Sequence, residues 1–321
     1  MGKEEPLLDI SPDELQQIVA GDPAELDVHL RLVERDVALK GCEIKVHCHC
    51  LTVDGNGRVK PHRLAEFLRN SIVDYAIPKS RMEAARARDL KYKSSSATTA
   101  LVHEAKGLFT DLSKTGEGGE MLLYILAERF LELPQVLCKM HLKTDPQVHY
   151  HGADGIYARI TKEGILKLYW GESKIYSDVK AAIRDCIKSL APFLNEVDHE
   201  GASRERDLGL LSDKTDLNDP NLTSAFKQYF DKSSPKSNRI EYCGIALIGF
   251  SADFYPGDDI KAVADEISDA ARSAMKDWVD EISSRAISEK IQKFDIQFLC
   301  VPIPSADGFR SAFLEALGLS K

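Results

Sequence analysis

The segment D-G-I-Y-A-R-I-T-K-E-G-I-L-K-L-Y-W-G-E-S-K, residues 154–174, leaves little choice of fold. Residues 154–161 alternate, residues 165–174 alternate, and Lys162-Glu163-Gly164 supplies a three-residue turn with glycine where a positive φ is needed. The turn sets Thr161 against Ile165, and counting back pairs Ile160 with Leu166, Ala158 with Leu168 and Ile156 with Trp170. The next pair is Asp154 with Glu172. Directly opposed residues have Cβ atoms roughly 4.5–5.5 Å apart, and Lys174 follows on the same face about 6.6–6.8 Å further along the strand. A slip of one residue would turn the apolar set outward, so the pattern itself specifies the register.

Two carboxylates held that close repel each other and are costly near a core without a cation between them. Hard divalent cations favour oxygen ligands, and Mg²⁺ commonly takes one or two protein carboxylates plus water and substrate phosphate. A lysine beside such an ion can orient or deprotonate an attacking water and stabilise developing negative charge. The layout suits a hydrolase. The bland alternative is a solvated hairpin end with a Glu–Lys pair. E-x-K is a weak motif alone, and Glu43-Ile44-Lys45 and Glu104-Ala105-Lys106 also fit it. The first lacks a partner hairpin bearing an aspartate, and the second falls in an expected helix.

Around the hairpin the chain reads as alternating elements. Ser11 caps a helix that starts at Pro12, and residues 1–40 suggest two short helices. Residues 43–53 alternate as a strand before the turn Asp54-Gly55-Asn56-Gly57, and helices are expected at 61–76 and 79–90. Ser94–Thr99 reads as a loop. A helix is expected around Glu104-Ala105-Lys106, then one at 119–133 between Gly118-Gly119 and Pro134, and a strand near 137–143. After the hairpin, Ser177 is the expected cap of a helix over 178–194, whose Val179, Ala182, Ile183, Cys186, Ile187 and Leu190 form a core-facing stripe. A polar loop over 196–220, a short helix near 221–231, a buried strand over Tyr242–Phe250, a long helix over 258–292, a strand at 294–302 and a helix at 306–318 complete the chain. The fold class is α/β: an α+β region over residues 1–95, then a domain over 96–321 with a mixed central sheet between helices.

Other residues invite chemistry. Glu120 opens the helix before the hairpin, where the helix dipole favours a carboxylate, and Glu117 competes with it. His47-Cys48-His49-Cys50 suggests zinc, but on a strand the histidines and cysteines point to opposite faces, whereas a structural zinc needs four converging ligands. His149 and His151 precede Asp154 and could meet phosphate or metal. Lys180, Arg184 and Lys188 recur on one helix face and could line a phosphate path, although a solvated face is the default. No G-x-S-x-G elbow, phosphate-binding lysine loop or dinucleotide fingerprint occurs.

The chain has 321 residues and a net charge of −9, which taken alone argues against nucleic-acid binding. Residues 79–93 nevertheless gather Lys79, Arg81, Arg86, Arg88, Lys91 and Lys93 against only Glu83 and Asp89, a strip that could meet phosphates. Seven scattered cysteines suit reduced thiols, no segment reaches the length of a membrane helix, and the charged start is unlike a signal peptide. A cytoplasmic location and no membrane partner are expected.

The D…E-x-K hairpin, the preceding helix with its glutamate and the following helix resemble the PD-(D/E)XK nuclease core. More narrowly the chain resembles the HamA family, nuclease-effector subunits of the Hachiman anti-phage system. The matching segments are V-H-C-H-C-L-T, D-Y-A-I-P-K-S-R, G-E-G-G-E-M-L-L-Y-I-L-A-E-R-F-L, K-M-H-L-K-T-D and H-G-A-D-G-I…W-G-E-S-K, spread over most of the chain. One departure is that Ala153 stands where the family's proline precedes the aspartate. The resemblance implies a restriction-endonuclease-like core and Mg²⁺- or Mn²⁺-dependent cleavage of phosphodiester bonds, in DNA above all. It implies Asp154, Glu172 and the Ser173 carbonyl as metal ligands, Lys174 at the water and Glu120 completing the acidic set. It also implies a partner, an SF2-type HamB-like helicase that restrains the nuclease. Two alternatives stay open: a non-catalytic nucleic-acid-binding or helicase-regulating subunit with a vestigial nuclease fold, and an RNA-cleaving effector.

Overall fold

The computed structural model describes residues 10–109, 116–137, 139–142, 152–195, 203–257 and 260–319. Its helices are α1 (Pro12–Gln16), α2 (Leu26–His29), α3 (Pro61–Asn70), α4 (Ile72–Ala76), α5 (Lys79–Tyr92), α6 (Ser96–Gly107), α7 (Glu117–Arg129), α8 (Val179–Asn195), α9 (Ser203–Lys214), α10 (Pro220–Lys227), α11 (Ala264–Ser288) and α12 (Ala306–Leu317). Its strands are β1 (Leu30–Ala38), β2 (Ile44–Leu51), β3 (Gln135–Leu137), β4 (Gly155–Ile160), β5 (Leu166–Tyr176), β6 (Ile240–Ser251) and β7 (Ile296–Ile303). Among the described residues they form one mixed seven-stranded sheet, in the order β1-β2-β7-β6-β5-β4-β3, with helices around it.

β5, β6 and β7 run parallel, as do β2 and β7, while β4 and β5 form the antiparallel hairpin. The continuous apolar runs of β6 and β7 are buried along nearly their whole length, as parallel strands covered on both faces must be. β1 and β2, from the region before residue 95, join this sheet through β7.

The hairpin has the register set by its alternation. Ile156 pairs with Trp170, Ala158 with Leu168 and Ile160 with Leu166, all of them buried. Gly164 takes φ 72° in the turn, and the Thr161 N–H donates to the Ile165 carbonyl at 2.9 Å. Trp170 stacks on Phe193 of α8 with ring centroids 6.3 Å apart. The expected stripe on α8, from Ala182 to Leu190, is buried. Its cap differs: Asp178, not Ser177, accepts the Ala181 N–H at 2.7 Å.

Other segments depart from the pattern for local reasons. β1 falls where only helices were expected; it is an edge strand whose register shifts between Leu32 and Glu34 and again before Val37, and that breaks its alternation. The expected helix over 61–76 is divided at Ser71. The serine cluster at 94–99 largely opens α6 instead of forming a loop, because Asp89 accepts the N–H groups of Ala97 and Thr98 at 2.9 and 2.8 Å. The strand expected near 137–143 is confined to Gln135–Leu137, followed by a 3₁₀ turn over Met140–Leu142. The expected polar loop over 196–220 contains α9, whose Arg204 and Asp207 are buried by pairing, not exposed. Glu14 and Ser11 form a reciprocal cap on α1 as the Ser-Pro start requires.

The candidate active site

The last regular pair of the hairpin ladder is Gly155 with Gly171. One step beyond it, where Asp154 was expected to face Glu172, a side chain replaces the backbone. Asp154 Oδ2 accepts the Ser173 N–H at 2.8 Å and the Ser173 hydroxyl at 2.7 Å, while its own N–H donates to the Gly171 carbonyl at 2.9 Å. The aspartate is thereby tied to the strand that carries Glu172 and Lys174. The Lys174 ammonium contacts Glu172 Oε1.

Two glycines bring α7 to this point. A Cβ on Gly119 would lie 3.1 Å from Ser173 Oγ and 3.0 Å from Ile175, and one on Gly118 would lie 3.2 Å from the Phe309 ring on α12. Their absence lets the N-terminus of α7 close on Ser173. The α7 N-terminus, whose dipole favours negative charge, thus lies against the serine that holds Asp154. Glu120 sits in that first turn and accepts a hydrogen bond from the Tyr75 hydroxyl at 2.9 Å. Glu117, its sequence competitor, is buried in the same turn.

Beneath Asp154 lies a buried ion pair that sequence reading did not single out. Lys139 donates to both carboxylate oxygens of Asp207, at 2.9 and 2.8 Å, and to the Ala153 carbonyl at 3.1 Å. The Trp170 indole N–H also donates to Asp207, at 3.1 Å. Gly152 is accounted for by this pair, since a Cβ there would meet Lys139 Nζ at 2.6 Å.

The electrostatics are those of acids buried with too little counter-charge. Burial, and then the neighbouring Asp154, push Glu172 up to about 7, against the pull of Lys174. Burial also raises Asp154, opposed by the Ser173 hydrogen bonds and by the charges of Lys174 and Lys139. Burial alone would lower the Lys174 ammonium, but Glu172 and Asp154 carry it above the ordinary lysine value. A divalent cation fits this donor set: hard carboxylate oxygens, one held near neutral for want of positive charge. The buried Tyr157 hydroxyl, without a hydrogen-bond partner among the described residues, lies within electrostatic reach of Asp154 and Glu120.

The other expected residues fare differently. Lys180 is exposed on α8, and Arg184, one turn on, pairs with its neighbour Asp185 at 2.8 Å. His149 and His151 lie outside the described residues. Within the basic strip, Arg81 is paired with Glu104 and Arg86 with Glu83. The His-Cys-His-Cys strand is structural: His47 bonds Gln297 at 3.0 Å, His49 packs edge-on against Phe130, and the described cysteines are free thiols. Among the described residues, the group of three potential metal-ligating side chains within 4.8 Å of one another is Glu241, Cys243 and Asp295, at the other end of the parallel strands.

Fold and cluster together define an α/β protein with a mixed sheet and an aspartate–glutamate–lysine group on a hairpin, braced by the N-terminus of a helix. No curated protein matches the chain. The HamA family model matches residues 27–317, and the chain belongs to that family, which associates it with Hachiman antiviral defence. No described helix is long and apolar enough to cross a membrane.

Proposed function

We propose that this chain is a metal-dependent nuclease that hydrolyses phosphodiester bonds, in DNA above all, as the effector of a Hachiman defence complex. The observation that carries the reading is Glu172, a buried carboxylate raised to about 7 beside a second buried acid, with a lysine on its oxygen. A purely structural hairpin end has no use for that arrangement. Asp154 and Glu172, with the Ser173 carbonyl, would hold Mg²⁺ or Mn²⁺, and Glu120 would complete the acidic set. Such an ion supplies Lewis acidity and a nucleophilic water at neutral pH. Lys174, an ammonium beside Glu172, would position or activate the water and take up charge developing on phosphate. Ser173 holds Asp154 in place through its N–H and hydroxyl.

A family effector needs restraint, and a partner helicase that senses DNA is the expected source of it. The test is plasmid cleavage by the chain with that partner, in Mg²⁺, Mn²⁺ or EDTA. Cleavage should require metal and fall at least about a hundredfold in Glu172→Ala and Lys174→Ala. Cleavage that both variants retain would overturn the assignment.

A further inference from the structure

We propose that Tyr75, on α4 in the N-terminal region, is a positioning residue that aims the Glu120 carboxylate at the metal site. The proposal rests on the metal-dependent reading above. Tyr75 is 2 % exposed, and its hydroxyl donates to Glu120 Oε2 at 2.9 Å across 45 residues of sequence. A phenol donating to a carboxylate makes a charge-assisted bond, stronger and more directional than a neutral one. A donor fixed on a packed ring restricts which rotamers the glutamate can take.

The ring that carries the donor is itself held. It packs against Tyr124 of α7 with centroids 5.3 Å apart and against Phe109 at 6.4 Å. At the other end of α7, Arg129 donates to Ser71, the residue before α4, at 3.3 Å and stacks over Phe67 of α3 at 4.8 Å. The α3–α4 pair is therefore docked along α7 from end to end, with Tyr75 at the acidic end. Satisfying a buried phenol does not by itself explain the contact: the hydroxyls of Tyr124 and Tyr157 are buried nearby with no hydrogen-bond partner among the described residues. Of these three tyrosines, Tyr75 is the one turned onto the carboxylate. Groups of this kind, which orient a ligand without touching the ion, commonly govern affinity by 10–100-fold.

The experiment is Mn²⁺ calorimetry on the full chain and on Tyr75→Phe, Glu120→Gln and the double variant, each checked by thermal unfolding. Tyr75→Phe keeps the ring and removes one donor. It should weaken Mn²⁺ binding about tenfold with a melting temperature within about 2 °C of the parent, and add nothing further in the Glu120→Gln background. Parent affinity in Tyr75→Phe, or a loss that adds in full to that of Glu120→Gln, would overturn the proposal, since a residue acting through Glu120 cannot be independent of it. Glu120→Gln serves alone if the phenylalanine variant fails to fold: unchanged Mn²⁺ affinity there also removes the proposal. A parent chain that binds no Mn²⁺ would take the metal reading down as well, whereas a binding parent with an indifferent Tyr75→Phe removes this inference only.

Discussion

β5 carries a lysine beside acids at both ends, and the two groups are in different physical states. Near its start, Lys167 lies between Glu241 at 3.1 Å and Asp295 at 3.0 Å. Asp295 also accepts from the Tyr169 hydroxyl at 3.1 Å and from Gln297 at 2.8 Å, and Glu241 is exposed. Near its end, Glu172 has a side chain only 8 % exposed and is offset only in part by Lys174 and the Ser189 hydroxyl, while Asp154 turns to Ser173. The first group brings its potential ligand atoms closer together, yet its charges are already answered by a lysine, a phenol, an amide and water. The second leaves a carboxylate near neutrality. Burial beyond what its partners offset, more than crowding of acids, distinguishes this end. It is also the carboxyl-terminal half of a parallel strand, the side where open α/β sheets generally bind ligands.

Matched substitutions can break that contrast. Asp154→Asn should abolish Mn²⁺ binding and reduce metal-dependent cleavage by more than about a hundredfold, while Asp295→Asn should leave both within about twofold. Equal losses from the two variants would show that the comparison picked the wrong end. The pH dependence gives a middle-sized effect. Glu172 sits at about 7 in the folded chain against 4.5 for an ordinary glutamate, so the native state keeps its proton longer than the unfolded chain does. Its contribution to stability is complete below about pH 4.5 and is lost as pH rises through 7, by at most about 3 kcal/mol. Denaturation in EDTA at pH 5 and pH 8 should show this loss, and Glu172→Gln should remove it. The smallest effect belongs to the other end: Lys167→Met should cost on the order of 1 kcal/mol in urea unfolding and leave the Mn²⁺ isotherm unchanged.

The hairpin was legible because its own alternation carried the information. Ile156, Ala158, Ile160, Leu166, Leu168 and Trp170 can share one buried face in one register only, and Asp154, Glu172 and Lys174 follow from it by counting. α9 was hidden for the opposite reason. Arg204 and Asp207 look like surface residues until their partners are known, and those partners, the Phe193 and Leu194 carbonyls and Lys139, are set by the tertiary fold. β1 was missed because the bulges of an edge strand scramble the period that would reveal it. Tyr75 lies in the matching segment D-Y-A-I-P-K-S-R, but nothing in that segment names its partner. Its significance lies in the docking of α4 on α7, which brings residues 75 and 120 together.

Lys139 has a consequence of its own. A proline before Asp154 would stiffen the backbone covalently through its ring, and Ala153 cannot. The tether from Lys139 to the Ala153 carbonyl, anchored by Asp207, restricts the same stretch through side chains from elsewhere in the sequence. The conformational entropy of that stretch is then surrendered when α9 docks, so Asp154 is preorganised by the fold itself.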